Sequence, residues 1–532
     1  MTISLLLIAF IIILCVVLNR VSDKMGIPIL FFFILLGMMF GSDGLLRIEF
    51  DNYEFAEQIC SIALIFIMFY GGFGTNWKQA KSVALRAGIL STLGVVLTAG
   101  LVGLFCHFII GMALMESLLL GAVISSTDAA SVFAILRSKK LALKEHTDSL
   151  LELESGSNDP CSYMMTLLVL TMMQGSITTG QVAYMVFAQF FFGILVSIAI
   201  AAFAIHMLRR FHFSTDGLDM IFVIGIAILA YAGANAIGGN GYLSTYLVGI
   251  VLGNSKIRNK KSLVPFFDGL TGLMQVLVFF LLGLLAFPHM LKEIATMSII
   301  ICLFLTFIGR PLAVFLLLAP FSCSTSQKLL VSFAGLRGAA SIVFAIMATV
   351  SSAYGSDRVF HIVFSMVLIS IAFQGTLIPW VAKKLDMIDH ESNVMKTFTD
   401  YAQEVNIQFV ELTLHEKHPW VEKTIASLSL VPDMLIVLVR RSKQNMMPTG
   451  NFLLHEGDRV VLSAPAFNEK EKIPLEELTI EEDNEWVGKT VAQVSDNPKE
   501  LIVLIERKGK TIVPRGETVL NSEDTLVYMR EE

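Results

Sequence analysis

The chain has 532 residues, of which 55% are hydrophobic and only 16% are charged. A soluble protein of this length carries about 25% charged residues, so the composition excludes an ordinary soluble enzyme and indicates a polytopic membrane protein. The net charge of −6, without a basic tract, excludes a typical nucleic-acid-binding protein.

Apolar segments of the length needed to cross a bilayer, about 20 residues each, recur up to about residue 380. Residues 2–19 lack the basic start of a cleaved signal peptide and are interpreted as the first membrane helix. We predict thirteen spans, near residues 2–19, 26–42, 55–73, 86–110, 113–136, 148–173, 182–207, 217–236, 240–254, 266–287, 294–319, 327–351 and 359–381.

Basic residues are distributed unevenly between the predicted loops. With the N-terminus outside, eighteen Lys and Arg residues lie in the inside loops and three in the outside loops. The positive-inside rule therefore predicts an outside N-terminus and a cytoplasmic C-terminal tail, in a cytoplasmic (inner) membrane.

The fifth predicted span, "LLLGAVISSTDAASVFAIL" (118–136), consists of two short apolar halves around "SSTD", with Asp128 at the centre. Interrupted helices are typical of transporter binding sites, because unwound backbone supplies ligands. The twelfth span contains "GAASIVFAIM" after Arg337, which matches "DAASVFAIL" apart from one inserted residue. We therefore predict that the two spans are counterparts in an inverted repeat.

The sixth span contains "ESGSNDP" before its apolar run. Only about thirteen residues follow Pro160, or about 20 Å of helix, whereas the hydrocarbon core is about 30 Å thick. The helix should therefore extend back through the motif, unless Asn158 or Asp159 caps a helix that starts at Pro160 in the cytoplasm. The first interpretation places four polar residues within the membrane: Glu154, Ser155, Asn158 and Asp159.

Two arginines also lie in apolar segments, Arg337 between two glycines and Arg310 before a helix-breaking Pro311. Each arginine either pins helices together in a salt bridge or takes part in transport directly. If they pair with two of the three intramembrane acids, Asp128, Glu154 and Asp159, one carboxylate remains. A buried carboxylate without a partner must take up a proton or a cation. If the same carboxylate can bind either one, but not both together, the protein is predicted to be an exchanger.

The motifs "SSTDAAS", "ESGSNDP", "GRP" and "GLRGAAS" resemble the monovalent cation:proton antiporter-1 family of the NhaP/NHE type over about residues 1–385. The resemblance implies an α-helical membrane fold of thirteen helices with inverted repeats and discontinuous helices. It also implies a core subdomain, a dimerisation subdomain and a homodimer.

The resemblance implies specific roles for the motif residues. Asp159 would bind the monovalent metal cation or the proton, with Ser155 and the backbone of Thr127 as further ligands. Asn158 would hold the unwound segment, Glu154 would pair with Arg337, and Arg310 would balance the region of Asp128. Family members often have Pro after Thr-Asp; here Ala129 follows, which weakens the expected unwinding at Thr127.

The tail after residue 385 is richer in charge and in β-forming segments, and it repeats itself. Residues 419–463 and 485–529, shifted by 66, are identical at seventeen of 45 positions. The copies, each predicted as a strand, a short helix and further strands, resemble the C-terminal lobe of RCK (TrkA-C) domains. We predict four regions: a transmembrane domain (1–385), a linker (386–404) and two RCK-C-like lobes of α+β structure (405–467 and 468–532).

The sequence thus predicts an electroneutral cation/proton antiporter in contact with membrane lipid, with no cofactor. An antiporter domain with such a tail resembles the potassium/proton branch, which favours K⁺, although a Na⁺/H⁺ antiporter remains the alternative. A tail-gated cation channel is a further alternative, but no filter-like sequence is present. An enzyme is not indicated, because the HExxH, GxSxG and Gly-rich phosphate motifs are missing.

The tail is either a regulatory module that binds a small molecule or nucleotide, or a bare dimerisation module.

Overall fold

The computed structural model divides into two compact units, Met1–Glu404 and Val405–Glu532. It describes residues 6, 9–18, 28–139, 141–175, 178–210, 216–257, 260–389, 407–416, 418–428, 430, 434–441, 444–465, 475–480, 484–494, 500–507 and 510–530. Most of the predicted linker and parts of the first span lie outside the described residues. So do four of the basic residues on which the predicted orientation depends: Arg20, Lys24, Lys140 and Arg258.

The first unit is helical. Its helices are α1 (Ala9–Leu18), α2 (Ile29–Phe40), α3 (Tyr53–Gly74), α4 (Trp77–Ala80), α5 (Ala84–Ile110), α6 (Leu114–Val123), α7 (Ala129–Ser138), α8 (Thr147–Gln174), α9 (Thr179–Arg210), α10 (Asp216–Ala236), α11 (Gly241–Asn254), α12 (Lys260–Leu285), α13 (Pro288–Phe304), α14 (Arg310–Leu317), α15 (Thr325–Phe333), α16 (Ala339–Val350) and α17 (Arg358–Lys384).

Helix length and composition confirm a helical membrane fold. Seven helical stretches of the described chain are long and apolar enough to cross a bilayer: Tyr53–Gly74, Ala84–Ile110, Thr179–Arg210, Gly217–Ala236, Ser262–Leu285, Glu293–Leu317 and Arg358–Lys384. Large apolar side chains such as Phe108, Phe307 and Phe373 are more than half exposed, as expected for a surface that faces lipid. The remaining spans are short, polar or interrupted, and the total of thirteen stays a prediction.

Both predicted interruptions are present. Residues 124–128 separate α6 from α7, and residues 334–338 separate α15 from α16. The two breaks touch, because the amide of Asp128 donates to the carbonyl of Leu336 at 2.8 Å.

At the eleventh span the chain does not break at Pro311. A wide π-helical turn, Leu305–Gly309, joins α13 to α14 and accommodates the missing N–H of proline.

Glycines allow several helices to approach closely. A Cβ added to Gly37 of α2 would overlap the backbone of α12, and one added to Gly283 of α12 would overlap the backbone of α2. Helices in lipid associate through such van der Waals contact, since no hydrophobic force drives them together there.

A small antiparallel sheet connects the loop before α8 with the segment that follows α17. In it, β1 (Ala142–Leu143) pairs with β2 (Ile388–Asp389), and the ammonium group of Lys144 lies 3.0 Å from the carboxylate of Asp386. The residues that precede the polar helix α8 are therefore bonded to the first residues after the last membrane helix.

The second unit contains two four-stranded antiparallel sheets. The first consists of β3 (Ile407–Thr413), β4 (Leu435–Arg441), β5 (Gln444–Met446) and β6 (Arg459–Pro465), and the second of β7 (Leu475–Thr479), β8 (Glu500–Arg507), β9 (Lys510–Ile512) and β10 (Thr525–Arg530). Their strand orders, β3-β6-β4-β5 and β7-β10-β8-β9, are equivalent, as the duplication predicts. A short helical turn follows the first strand of each lobe, Ile425–Ser427 and Val491–Val494.

Each lobe contains the same ion pair between a partly exposed arginine and a buried aspartate. Arg441 contacts Asp458, and Arg507 contacts Asp524, each through two hydrogen bonds of 2.7 Å. Both aspartates are fully buried, and burial alone raises their pKa. The hydrogen bonds from the arginines have the larger, opposite effect, so each pKa lies below the usual range of an aspartate. The two pairs stabilise equivalent turns of the repeated unit.

Candidate functional site

The motif "ESGSNDP" lies inside one long helix. Helix α8 begins at Thr147, and Pro160 is an internal residue of it, so the alternative of a helix that starts at Pro160 is wrong. Glu152, Ser155 and Asp159 recur at helical spacing and therefore occupy one face. All three line a cavity of about 420 Å³.

The break between α6 and α7 lies against this face of α8. The Ser155 hydroxyl donates to the Thr127 carbonyl at 2.8 Å, and the Asn158 amide donates to the Thr127 hydroxyl at 2.5 Å. The Asn158 side-chain oxygen also accepts from the Thr127 amide at 3.3 Å. Asn158 and Ser155 thus satisfy backbone groups that an unbroken helix would pair internally.

Asp159 is buried and accepts a hydrogen bond from the Ser126 hydroxyl. The sequence analysis did not single out Ser126 as its partner. The signal was available, because Ser126 stands in the same unwound "SSTD" segment, but only the fold shows which serine faces the carboxylate.

Asp128 ends the break. Its carboxylate accepts from the Ser131 amide at 3.2 Å and from the Ser131 hydroxyl at 2.5 Å, the pattern of an N-cap at the start of α7. The helix can therefore restart at Ala129 although proline is missing there. Asp128 also lines the cavity.

The predicted charge pairing was wrong. Glu154 forms a buried ion pair with Arg310, not with Arg337, and both partners are at most 3% exposed. That Arg310 balances the region of Asp128 stays a prediction. The eleventh and sixth spans bring Arg310 and Glu154 together, a contact that counting charges in a sequence does not specify.

Arg337 binds backbone instead. Its guanidinium donates to the carbonyl of Ile124 at 2.5 Å and to the carbonyl of Ser126 at 2.6 Å. The last carbonyls of a helix lack internal partners and carry partial negative charge. The arginine of one broken helix therefore stabilises the free end of the other, α6.

The cavity wall is acidic. Within the described part of the chain, its charged lining consists of four carboxylates, those of Asp128, Glu152, Asp159 and Asp268, and includes no lysine, arginine or histidine. Asp268 accepts a hydrogen bond from the Tyr70 hydroxyl at 3.1 Å. Neither Asp268 nor Tyr70 was singled out in the sequence, because each lies far along the chain from the polar motifs. A cavity of this composition favours a cation over an anion.

Comparisons with known proteins identify the relatives of this chain. The family described as "Sodium/hydrogen exchanger, transmembrane" matches residues 6–384, and the TrkA-C domain matches residues 409–467 and 475–527. The chain is similar to the K(+)/H(+) antiporter NhaP of Alkalimonas amylolytica, with 34% identity over 79% of this chain and 74% of the relative. It is similar to the K(+)/H(+) antiporter NhaP2 of Shewanella sp. (strain ANA-3), with 30% identity over 83% of this chain and 78% of the relative.

The fold of the first unit is also similar to a solved structure. The sodium proton antiporter MjNhaP1 from Methanocaldococcus jannaschii at pH 8 aligns with a TM-score of 0.64, covering 72% of this chain and 99% of that chain. Its sequence identity of 21% limits the likeness to the fold.

Proposed function

The chain belongs to the sodium/hydrogen exchanger, transmembrane family, and we propose that it is a multi-pass antiporter that exchanges K⁺ for H⁺. The observation that supports this proposal is the buried carboxylate of Asp159 in an acidic cavity beside an unwound helix. A buried carboxylate is costly when ionised and without a counter-charge, so it binds either a proton or a cation. Competition for one group couples the two fluxes.

The surrounding oxygens supply further ligands in this proposal. The Ser155 hydroxyl donates to the Thr127 carbonyl, and Ser155 lines the cavity one helical turn before Asp159. The Thr127 carbonyl retains a second lone pair. Asp159, Ser155 and Thr127 would thus form an oxygen site for a monovalent cation, while Asn158 positions the backbone. Exchange of one cation for one proton on one carboxylate is electroneutral.

The choice of K⁺ rests on the relatives and on the tail. The two curated relatives are named K(+)/H(+) antiporters and are at least 30% identical to this chain. Na⁺/H⁺ exchange is the second candidate, because carboxylate, hydroxyl and carbonyl oxygens suit either ion.

Proton flux in liposomes tests the proposal. Full-length protein is reconstituted with a pH-sensitive dye inside, and K⁺, Na⁺ or Li⁺ is added outside. We expect proton movement driven by K⁺ that needs the cation gradient and is unaffected by a membrane potential. Asp159→Asn should abolish it, whereas the control Glu293→Gln, at an exposed acid outside the cavity lining, should not.

Three outcomes would contradict parts of the proposal. Normal exchange by Asp159→Asn would reject the assigned carboxylate. A stronger response to Na⁺ would favour the second candidate. Cation flux without proton counter-flux would favour a channel.

The membrane orientation is proposed from the charge distribution. Eighteen basic residues in one set of loops against three in the other support an outside N-terminus and a cytoplasmic tail in the inner membrane. We also propose that the protein is a homodimer in contact with lipid.

The tail is proposed to regulate exchange, with the linker (386–404) and the two lobes (405–467 and 468–532) bounded as the sequence predicts. The β1–β2 sheet supports this role, because β2 begins the connection to the tail and β1 precedes the helix that contains Asp159. A small molecule or nucleotide bound to the lobes could change exchange only by its difference in affinity between two states, typically 1–3 kcal/mol.

A further inference from the structure

One face of α12 lines the cavity along much of its length. Asp268, Thr271, Gln275 and Phe279 follow one another at helical spacing, and all four are lining residues. The corresponding face of α8 contributes Glu152, Ser155 and Asp159. The two faces border the same space, and each has an acid near the start of its helix.

Burial increases from these acids toward the centre of the cavity. Asp268 is exposed and Glu152 is half-buried, whereas Asp159 is only 6% exposed. Glu152 precedes Asp159 by seven residues, or about 10 Å along α8. Since α8 and α12 both follow loops predicted to be inside, the two acids would lie at the cytoplasmic mouth of the cavity in the proposed orientation.

Thr271 provides a separate observation. It is only 7% exposed and lines the same cavity one turn beyond Asp268. Its hydroxyl oxygen is fully buried and has no hydrogen-bond partner among the residues that the structure describes. A buried hydroxyl without a partner costs free energy, and a cation in the cavity would give its oxygen one.

We propose that the cavity has a second monovalent-cation site, formed by the Asp268 carboxylate and the Thr271 hydroxyl, in front of the exchange carboxylate Asp159. The Tyr70 hydroxyl occupies one oxygen of Asp268 at 3.1 Å and fixes its orientation, while the second oxygen serves as a ligand. Glu152, on the α8 side of the same cavity, adds negative charge. This inference rests on the proposed function and extends it, since the site takes the transported cation before Asp159 does.

The site would raise the local concentration of cation at Asp159. At about 10 Å, the separation of Glu152 from Asp159 along α8, a unit charge changes cation binding about two- to tenfold for effective dielectric constants of about 80 to 25, and Asp268 borders the same cavity. Asp268→Asn should therefore raise the apparent KM for K⁺ about two- to tenfold and change the maximal rate much less. The increase should be larger at low ionic strength, because salt screens charges at the exposed mouth.

Thr271→Val separates binding from structure. Valine has the shape of threonine and lacks the hydroxyl. If the hydroxyl is a ligand, the variant should have a higher KM for K⁺ and an unchanged or higher melting temperature, because a buried group without a partner is removed. A lower melting temperature with an unchanged KM would contradict the proposal.

Rubidium binding tests the site without transport. Rubidium NMR line broadening by full-length protein in detergent should persist in Asp159→Asn and disappear in Asp159→Asn with Asp268→Asn. If Asp159→Asn alone abolishes the broadening, the second site does not exist. If Asp159→Asn still binds Rb⁺ but the wild type does not exchange cations for protons, the proposed function fails while the second site stands. Glu293→Gln is again the control.

Discussion

The ion pair between Glu154 and Arg310 gives the sharpest test of the site's construction. Both side chains are almost fully buried, with 1% and 3% of their surface exposed. At 4 Å and an effective dielectric constant of about 20, Coulomb's law gives about 4 kcal/mol for two unit charges. Replacing one partner by methionine leaves the other charge buried and should cost about 3–5 kcal/mol of stability.

Replacing both partners should cost far less. A buried ion pair exchanged for apolar residues of similar volume is often neutral in stability. Glu154→Met combined with Arg310→Met should therefore recover most of the loss of either single variant. Unfolding in detergent, followed by denaturant or heat, measures all four members of this double-mutant cycle.

A second cycle provides the matched control. The sequence alone suggested that Glu154 pairs with Arg337, whereas the guanidinium of Arg337 binds the carbonyls of Ile124 and Ser126. Glu154→Met and Arg337→Met should therefore show a coupling energy below about 1 kcal/mol. A coupling with Arg337 as large as that with Arg310 would refute the arrangement of charges described above.

Three further predictions concern the break, the lobes and the tail. Asn158→Ala removes both hydrogen bonds to Thr127 and should slow exchange at least tenfold, measured as proton flux, while the protein still inserts into the membrane. An unchanged rate would show that the break between α6 and α7 does not need the side chain of Asn158. The pKa values of Asp458 and Asp524 in the folded lobes lie below the unfolded value of about 3.9. Their ion pairs therefore contribute their full stability above about pH 3.9, and this contribution is lost as the pH falls through the pKa of the folded state. Acid unfolding of the tail followed by circular dichroism should show this loss below about pH 4, and Asp458→Asn should reduce it. Deleting residues 400–532 should preserve exchange but change its dependence on pH or on a cytoplasmic small molecule; identical behaviour of both proteins would make the tail a structural module.

The sequence predicted the elements whose signal is local. The two interrupted helices, the long polar helix and the duplicated lobes each follow from hydropathy, helix length or self-similarity within one segment. The partner of Glu154 could not be predicted in this way, because α14 and α8 are separated by more than a hundred residues and either arginine satisfies the charge count. Thr271 and Asp268 were missed for the same reason, since nothing in the sequence of α12 places that face opposite α8.

The chain unwinds before Ala129 although the proline that family members often have after Thr-Asp is missing there. Proline after Thr-Asp would end a helix by removing an N–H, but here Asp128 caps α7 and α8 supplies hydrogen bonds to Thr127. Because Ser155 and Asn158 stand on the same helix as Asp159, the residues that stabilise the break also fix its distance from the carboxylate of Asp159. Movement of α8 must then either carry the unwound backbone with it or break these bonds. In the first case the proposed ligands at Thr127 and Ser155 move together with Asp159.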